Sequence, residues 1–468
     1  MRPPNLAESS KPRDSKHRLL VLLAIVLLSR LVFAFIVWKI NGPSGVIGSD
    51  TPSYVGPARS LLHGAFLSDG SFGIPGAAEI FRTPGYPLFL VPAVALGHVE
   101  LIALGENLLL AVASAWLIWH IVTGLIPDPR AACWAVLLYC FEPVGFLYSQ
   151  KVFSETLFTT VLLLFVWLFL RYFRKPAYLK LALSVLALSC AAYVRPVPLY
   201  LGIWLIPVLL LFPRTISWRQ RAARAVLFPV LFGLTLVPWI ERNSKVAGYD
   251  GFTTSSDWNL YFLAAGAVEA KLEHRGPSEV LADWNYDHME QYLQSHPEMR
   301  GWSQAQIARF WGREARRIIG SHVVLYSGIH ARGCAMVMFN PGVSELLIDL
   351  KLYPKVGSPI SRELDHGFVH TAGWLLREYP VTAIALPLML LQLLLYYVFA
   401  IKGLRRIPSE VAVFFCAVFS YFVLVSGMPA AVARYRAPIM PLVCICAGIA
   451  IAAWKTRKAN VPAQIDTA

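Results

Sequence analysis

The sequence predicts an all-α fold, a polytopic transmembrane bundle of about ten or more spans with outer-face loops and interfacial helices. Three observations predict it. Of the 468 residues, 56% are hydrophobic and only 15% charged, where a soluble domain carries about 25% charged residues. The apolar residues come in runs, and a run of roughly 20 crosses about 30 Å of hydrocarbon as a helix. Lys and Arg gather in alternate short loops, the bias that marks cytoplasmic segments.

Taken in order, the apolar runs are 19–38, 101–125, 133–148, 157–170, 179–193, 197–212, 225–240, 381–401, 411–426 and 438–454. Threading them places the basic clusters on one side: Arg13, Lys16 and Arg18, then 171–180, 214–224, 402–406 and 455–458. That side is the cytoplasm, and an even span count returns the C terminus to it. Residues 1–17 and 455–468 are then cytoplasmic tails, and 18–454 form one domain integral to the cell membrane. The first run is too long for a signal-peptide core and lacks a small-x-small cleavage site, so it reads as an uncleaved anchor. The net charge of +14 resides in these loops rather than in an aromatic-interleaved basic stripe, which argues against a nucleic-acid partner. Of 7 cysteines only Cys334 falls in an outer loop, so no disulfide framework is expected.

Two outer loops are long, at about 41–99 and 241–379. In the first, Thr51-Pro52 and Gly64 bracket a short surface helix. The second is rich in aromatics. It also holds a basic amphipathic stretch with Ile307, Trp311 and Ile318 on one side and Arg309, Arg313, Arg316 and Arg317 on another. Residues 318–339 are moderately apolar but carry His322, His330 and Arg332, which suits an interfacial helix. Within the apolar runs, Arg30, Glu106 and Glu142 are costly ions; a structural salt bridge from Arg30 to one glutamate is the expected resolution.

The polar groups on the outer side carry the chemistry. Asp50, in Gly48-Ser49-Asp50-Thr51-Pro52-Ser53-Tyr54, could act as a base on a hydroxyl at the membrane boundary, or could merely favour a helix N terminus through its dipole. Arg82, in Glu79-Ile80-Phe81-Arg82-Thr83-Pro84-Gly85-Tyr86-Pro87, presents a forked guanidinium that could hold a phosphate, with ordinary snorkelling as its alternative. Glu155 follows Ser154 at the outer start of its helix, level with Asp50; capping is the plain reading there. Arg195, Arg242, Arg434 and Arg436 lie on the side where the charge bias disfavours them. An anionic lipid headgroup or pyrophosphate is their natural ligand. No HExxH, P-loop or GxGxxG motif occurs.

These residues resemble the GT-C superfamily of membrane glycosyltransferases. The closest likeness is to its bacterial branch similar to dolichyl-phosphate-mannose protein mannosyltransferases and aminoarabinose transferases. The matching features are Ser49-Asp50 with Tyr54, Arg82-Thr83-Pro84-Gly85-Tyr86-Pro87, Ser154-Glu155, Arg195-Pro196, Pro238-Trp239 with Arg242-Asn243, and Arg434-Tyr435-Arg436. The resemblance implies an inverting transferase that takes a sugar from a polyprenyl-phosphate carrier on the outer face. It implies Asp50 as the acceptor-activating base and Glu155 as a supporting carboxylate. Arg82, Arg242, Arg434 and Arg436 are the donor-phosphate candidates, and Tyr54, Tyr86 and Arg195 the remaining substrate-site candidates. Family members with a Glu-Lys-Pro-Pro motif place a lysine near phosphate; Arg82 occupies the similar region here. The acceptor would be a cell-envelope lipid, glycan or protein, among membrane lipids. A divalent metal could bridge carboxylates and phosphate, though no ligand set stands out. The rival class is a transporter or flippase of lipid-linked sugars, which would place its charges near the bilayer midplane at a repeat interface. An oligosaccharide ligase or polymerase is chemically nearer to the leading reading.

Overall fold

The computed structural model describes residues 12–286, 289–354, 367–429 and 431–459; of the tails expected at 1–17 and 455–468, residues 1–11 and 460–468 lie outside them. Among the described residues the chain is helical, with no β-strand and one isolated antiparallel bridge between Leu67 and Ala78. The helices used below are α1 (Pro12–Asn41), α2 (Thr51–Leu61), α3 (Gly85–Ala95), α4 (Val99–Leu125), α5 (Pro129–Cys140), α6 (Pro143–Tyr148), α7 (Glu155–Arg174) and α8 (Tyr178–Val194). They continue with α9 (Trp218–Ala247), α10 (Gln304–Ser321), α11 (Val323–Phe339), α12 (Pro380–Leu404), α13 (Ser409–Ser426) and α14 (Met440–Ala459).

Among the described residues, seven helical segments are long and apolar enough to cross a membrane: α1, α4, α7, α9, α12, α13 and the segment Ala433–Lys455 that contains most of α14. The ten apolar runs yield fewer long helices for local reasons. In 133–148, α5 stops at Cys140 and Glu142 caps a new helix, accepting from the amides of Val144 at 3.3 Å and Gly145 at 2.6 Å. In 197–212, Pro198 and Pro207 lack the amide hydrogen a continuous helix needs. That run divides into a 3-10 turn at Val197–Tyr200 and short helices at Leu201–Trp204 and Ile206–Leu211. The run 179–193 forms α8, which is 17 residues long. At the N terminus, helix begins at Pro12, so residues 12–17 belong to α1 rather than to a tail.

The last helix lies at the centre. Of its most apolar window 83% is buried, against 28% for the first helix and 22% for α12. Small residues let α14 be central. A β-carbon on Gly448 would stand 2.4 Å from the Ala135 nitrogen, and one on Gly403 would stand 1.8 Å from the Cys446 carbonyl oxygen. Bundles in lipid gain attraction from such close approach, because water expulsion no longer drives association there. On α1, Leu20, Leu28 and Phe35 are each more than 60% exposed. They form the apolar outer stripe of a lipid-facing helix.

The salt bridge expected of Arg30 does not form. Its guanidinium is fully buried between the rings of Tyr139 at 5.1 Å and Phe146 at 5.3 Å, and none of its nitrogens has a hydrogen-bond partner. Aromatic faces supply negative potential in place of a carboxylate, and Glu142 is already engaged as a cap.

The two long loops pack together into a lobe. Phe81 from the first joins Trp258, Phe262, Tyr292 and Trp311 of the second in one apolar core. Backbone and hydroxyl contacts fasten the join: the Thr254 amide donates to the Ile80 carbonyl at 3.0 Å and the Thr253 hydroxyl to Phe81 at 2.6 Å. Within the lobe α10 buries Ile307, Trp311 and Ile318 and exposes Arg309, Arg313, Arg316 and Arg317, as the spacing predicts. The next helix, α11, buries only Gly333 and Val337. Gly333 lies against the backbone of Gly427 and Met428, where a β-carbon would come within 2.5 Å of either carbonyl oxygen.

Candidate functional site

Five stretches far apart in sequence meet at the ends of α1, α7 and α8. Each is placed by local contacts. The turn before α2 is laced to the turn before α7: the Val152 amide donates to the Val46 carbonyl at 2.8 Å, and the Thr51 hydroxyl donates to the Val152 carbonyl at 3.1 Å. Gly48 permits this approach, since a β-carbon would collide with the Phe153 ring at 2.1 Å. Arg82 and Arg195 are brought close by Thr83, whose hydroxyl donates to the Val194 carbonyl at 3.2 Å. Gly85 sits so near the end of α8 that a β-carbon would reach the Tyr193 carbonyl oxygen at 2.6 Å. Arg434 comes from the 3-10 turn Ala433–Ile439 that leads into α14.

The side chains then close a ring. Arg82 Nη2 donates to Asp50 Oδ1 at 3.0 Å, and Arg82 Nη1 to the Tyr54 hydroxyl oxygen at 3.1 Å. That leaves the phenol proton for Ser154 Oγ, 3.1 Å away. Ser154 Oγ also accepts from Arg195 Nη1 at 3.1 Å, and the same nitrogen donates to Glu155 Oε1. Glu155 Oε1 accepts as well from Arg434 Nε, and Arg434 Nη1 returns to Asp50 Oδ2 at 2.7 Å. Arg82 Nε binds Ser53 Oγ at 2.9 Å. The Arg82 guanidinium lies over the Tyr54 ring at 4.3 Å, and that of Arg434 over Phe153 at 4.2 Å. Tyr86 packs edge-on against Tyr54 at 4.9 Å between centroids, with its hydroxyl buried and unpartnered.

Neither acidic residue acts as a cap. Asp50 occupies the N-cap position of α2 and Ser154 that of α7, and neither makes a side-chain cap hydrogen bond. Burial would raise the Asp50 carboxyl, but the guanidinia of Arg434 and Arg82 outweigh it and hold it well below the usual carboxylate range. Glu155 is 2% exposed, and its Oε2 is buried with no partner. Three guanidinia face two carboxylates, so the cluster carries one surplus positive charge, a natural seat for an anion. The donors are unequally spent. Arg82 uses all three nitrogens inside the protein. Arg195 uses only Nη1, and Arg434 Nη2 makes no hydrogen bond among the described residues.

The other two arginines expected at phosphate have different partners. Arg242 stacks on Trp239 at 4.8 Å and donates to the carbonyls of Glu79 at 2.6 Å and Phe66 at 3.3 Å, pinning the first long loop. Arg436 is buried, and its Nη1 donates to the carbonyls of Val337 at 2.7 Å, Met338 at 3.2 Å and Asn340 at 2.8 Å. Those oxygens are the orphan acceptors at the end of α11, which a cation satisfies, so Arg436 anchors that helix end.

Sequence reasoning missed Ser53 and the pair of Lys151 with Asp349. Lys151 Nζ meets Asp349 Oδ1 at 2.6 Å and the Gly45 carbonyl at 2.7 Å, tying the short helix Val343–Asp349 to the loop beside the ring. A lysine between two apolar runs, away from the basic clusters, was the available signal. Among the described residues no three His, Cys, Asp or Glu side chains group as metal ligands; Asp50 and Glu155 meet guanidinia instead. No protein-family model and no curated protein matches the chain.

Proposed function

We propose that this chain is an inverting, GT-C-like glycosyltransferase of the cell membrane. It moves a sugar from a polyprenyl-phosphate carrier to a lipid, glycan or protein acceptor on the outer face. In this reading all ten apolar runs cross the bilayer, the shorter ones as broken helices, and both termini are cytoplasmic. The observation that carries the reading is Arg434 bridging Asp50 and Glu155 where helix ends converge, with unspent guanidinium donors beside two carboxylates. Basic residues sit at the opposite ends of the helices that converge there, Lys16 and Arg18 on α1, Arg171 and Arg174 on α7, and Lys180 on α8, which favours an outer site.

The chemistry follows from the donors and acceptors present. The donor phosphate enters as an anion and takes hydrogen bonds from Arg434 and Arg195. As Arg434 turns to the phosphate, Asp50 Oδ2 loses a cationic neighbour and gains basicity. The acceptor hydroxyl oxygen attacks the anomeric carbon from the side opposite the phosphate, and its proton passes to Asp50. The carbon–oxygen bond to phosphate breaks, and its electron pair leaves with the polyprenyl phosphate. The developing charge is met by donors already in place. Inversion results from the single displacement.

The test uses purified protein in nanodiscs, supplied either with a polyprenyl-phosphate sugar or with the matching nucleotide sugar. Transfer from the lipid-linked donor alone is expected. Efficient transfer from the nucleotide sugar with no lipid carrier present would sink the reading. Movement of a lipid-linked sugar across a sealed vesicle without transfer would favour a flippase.

A further inference from the structure

The outer lobe holds a recess that the reaction above does not use. It measures about 470 Å³ and is lined by Asp257, Trp302, Gln306, Arg309, Arg313 and Arg316. Small-molecule sites span roughly 300–1,000 Å³, so a sugar-sized ligand fits. The three arginines stand at i, i+4 and i+7 on α10 and therefore share one face. The opposite face buries Ile307, Trp311 and Ile318 in the lobe core, which fixes the arginine face outward. Arg309 is anchored through the Gly248 carbonyl and lies 3.8 Å from Asp250. Arg313 and Arg316 have no ion-pair or hydrogen-bond partner among the described residues. The one carboxylate on the wall, Asp257, accepts from the Tyr249 hydroxyl at 2.8 Å and faces the Arg316 guanidinium, offsetting one of the three positive charges. Gln306 Oε1 accepts from the Ser303 amide at 2.7 Å in a capping box, which leaves its Nε2 as a free donor. Trp302 adds a half-buried indole.

A row of surface arginines is ordinarily a solvated face. This one differs in lining an open recess with an indole wall, an oriented amide and the guanidinium of Arg313, which has no partner among the described residues. Forked guanidinia match the geometry of carboxylate and phosphate, and an indole offers a flat amphipathic surface to a pyranose. Packed aromatic rings link the wall of the recess to the ring around Asp50. Trp258, next to Asp257, packs edge-on against Phe72 at 5.4 Å and Phe81 at 5.9 Å, and the Arg82 guanidinium lies 5.0 and 5.1 Å from the same two rings.

We infer that this recess binds an anionic saccharide, bearing phosphate or carboxylate, and holds it as part of the acceptor. The word acceptor rests on the transfer reading; the ligand class does not. Protein in nanodiscs is titrated calorimetrically with glucose 6-phosphate, glucuronate and glucose. Saturable binding of at least one charged sugar is expected, and which one binds separates phosphate from carboxylate recognition. The double variant Arg313→Gln/Arg316→Gln weakens that binding roughly 10-fold or more, while Arg313→Lys/Arg316→Lys retains most of it. Undiminished binding in the glutamine pair, glucose binding as tightly as the charged sugars, or no saturable binding of either charged sugar overturns the assignment. In the transfer assay the glutamine pair raises KM for a charged acceptor more than it lowers kcat; an unchanged KM overturns the acceptor role. Intact binding in a wild-type protein that performs no transfer would sink the transfer reading alone and leave the ligand class standing.

Discussion

Arg434 and Arg436 lie two residues apart on one 3-10 turn, one between two carboxylates and the other beneath three carbonyl oxygens. The sequence marks both as cations on an unusual side of the membrane and cannot separate them. The difference lies in partners nearly a hundred residues or more away, which no spacing rule encodes. Asp50 is more legible, because an acidic residue beside Thr-Pro at the start of an outer helix has few roles. Its pairing with Arg82 and Arg434 is not readable from the chain. Asp50→Asn is expected to lower turnover at least about 100-fold, the low end for losing a general base, with unchanged insertion and folding by size-exclusion chromatography. Near-normal turnover would leave Asp50 no part in proton transfer. Glu155→Ala should lower stability by about 3–5 kcal/mol, because Arg195 and Arg434 would be left partly buried without their shared counter-ion. Chemical denaturation in detergent measures this. Glu79 supplies a pH test. Burial pushes its carboxyl up to about 7 from an ordinary 4.5, against hydrogen bonds from the amides of Arg82 and Phe81. A raised acid pKa favours the protonated folded form, so the stabilisation is full below about 4.5 and is lost as pH rises through about 7. The melting temperature should therefore fall between about pH 5 and pH 8 in the native protein, and fall less in Glu79→Gln. Parallel profiles would show that Glu79 does not titrate there.

At the scale of elements, apolar runs announce where helix will form, but not where it breaks. Pro143, Pro198 and Pro207 were visible within or beside those runs, and each cuts a stretch that length alone would carry across a membrane. Amphipathic α10 was fully legible, since its arginines and its Ile307, Trp311 and Ile318 fall on opposite sides at helical spacing. The crossings around α14 were not, because a glycine in a run does not say which backbone it admits. Gly403 and Gly448 are the sites to test. Gly403→Val or Gly448→Val forces the helices apart and should cost about 1–3 kcal/mol, the usual penalty of overpacking, read as a lower melting temperature. Gly105→Val is the control, since a β-carbon there meets nothing within 4 Å. Equal losses at all three positions would mean that close packing is not what these glycines provide.

For the whole molecule, the charge asymmetry between helix ends makes a topological prediction. In a variant with all 7 cysteines replaced, single cysteines at exposed Asp69 and Ser278 should react with an impermeant thiol reagent in intact cells. One at exposed Thr215 should react only after permeabilisation. Labelling at Thr215 in sealed cells would overturn the threading. The same view of the chain gives the ring of side chains a mechanical meaning. Asp50, Arg82, Tyr54, Ser154, Arg195, Glu155 and Arg434 come from turns and helix ends distributed along almost the full length of the sequence, and each touches two others. Such a loop works like a clasp with parallel load paths: one link can open and every member still hangs from a neighbour. Tyr54→Phe removes the links of Tyr54 to Arg82 and Ser154, and Ser154→Ala those of Ser154 to Tyr54 and Arg195; the two variants share one link, so adding Ser154→Ala to Tyr54→Phe should subtract less than its separate effect. An incoming phosphate that captures Arg434 would open the clasp on the far side, and a protein already opened at Tyr54 would then come apart into two fragments of the loop.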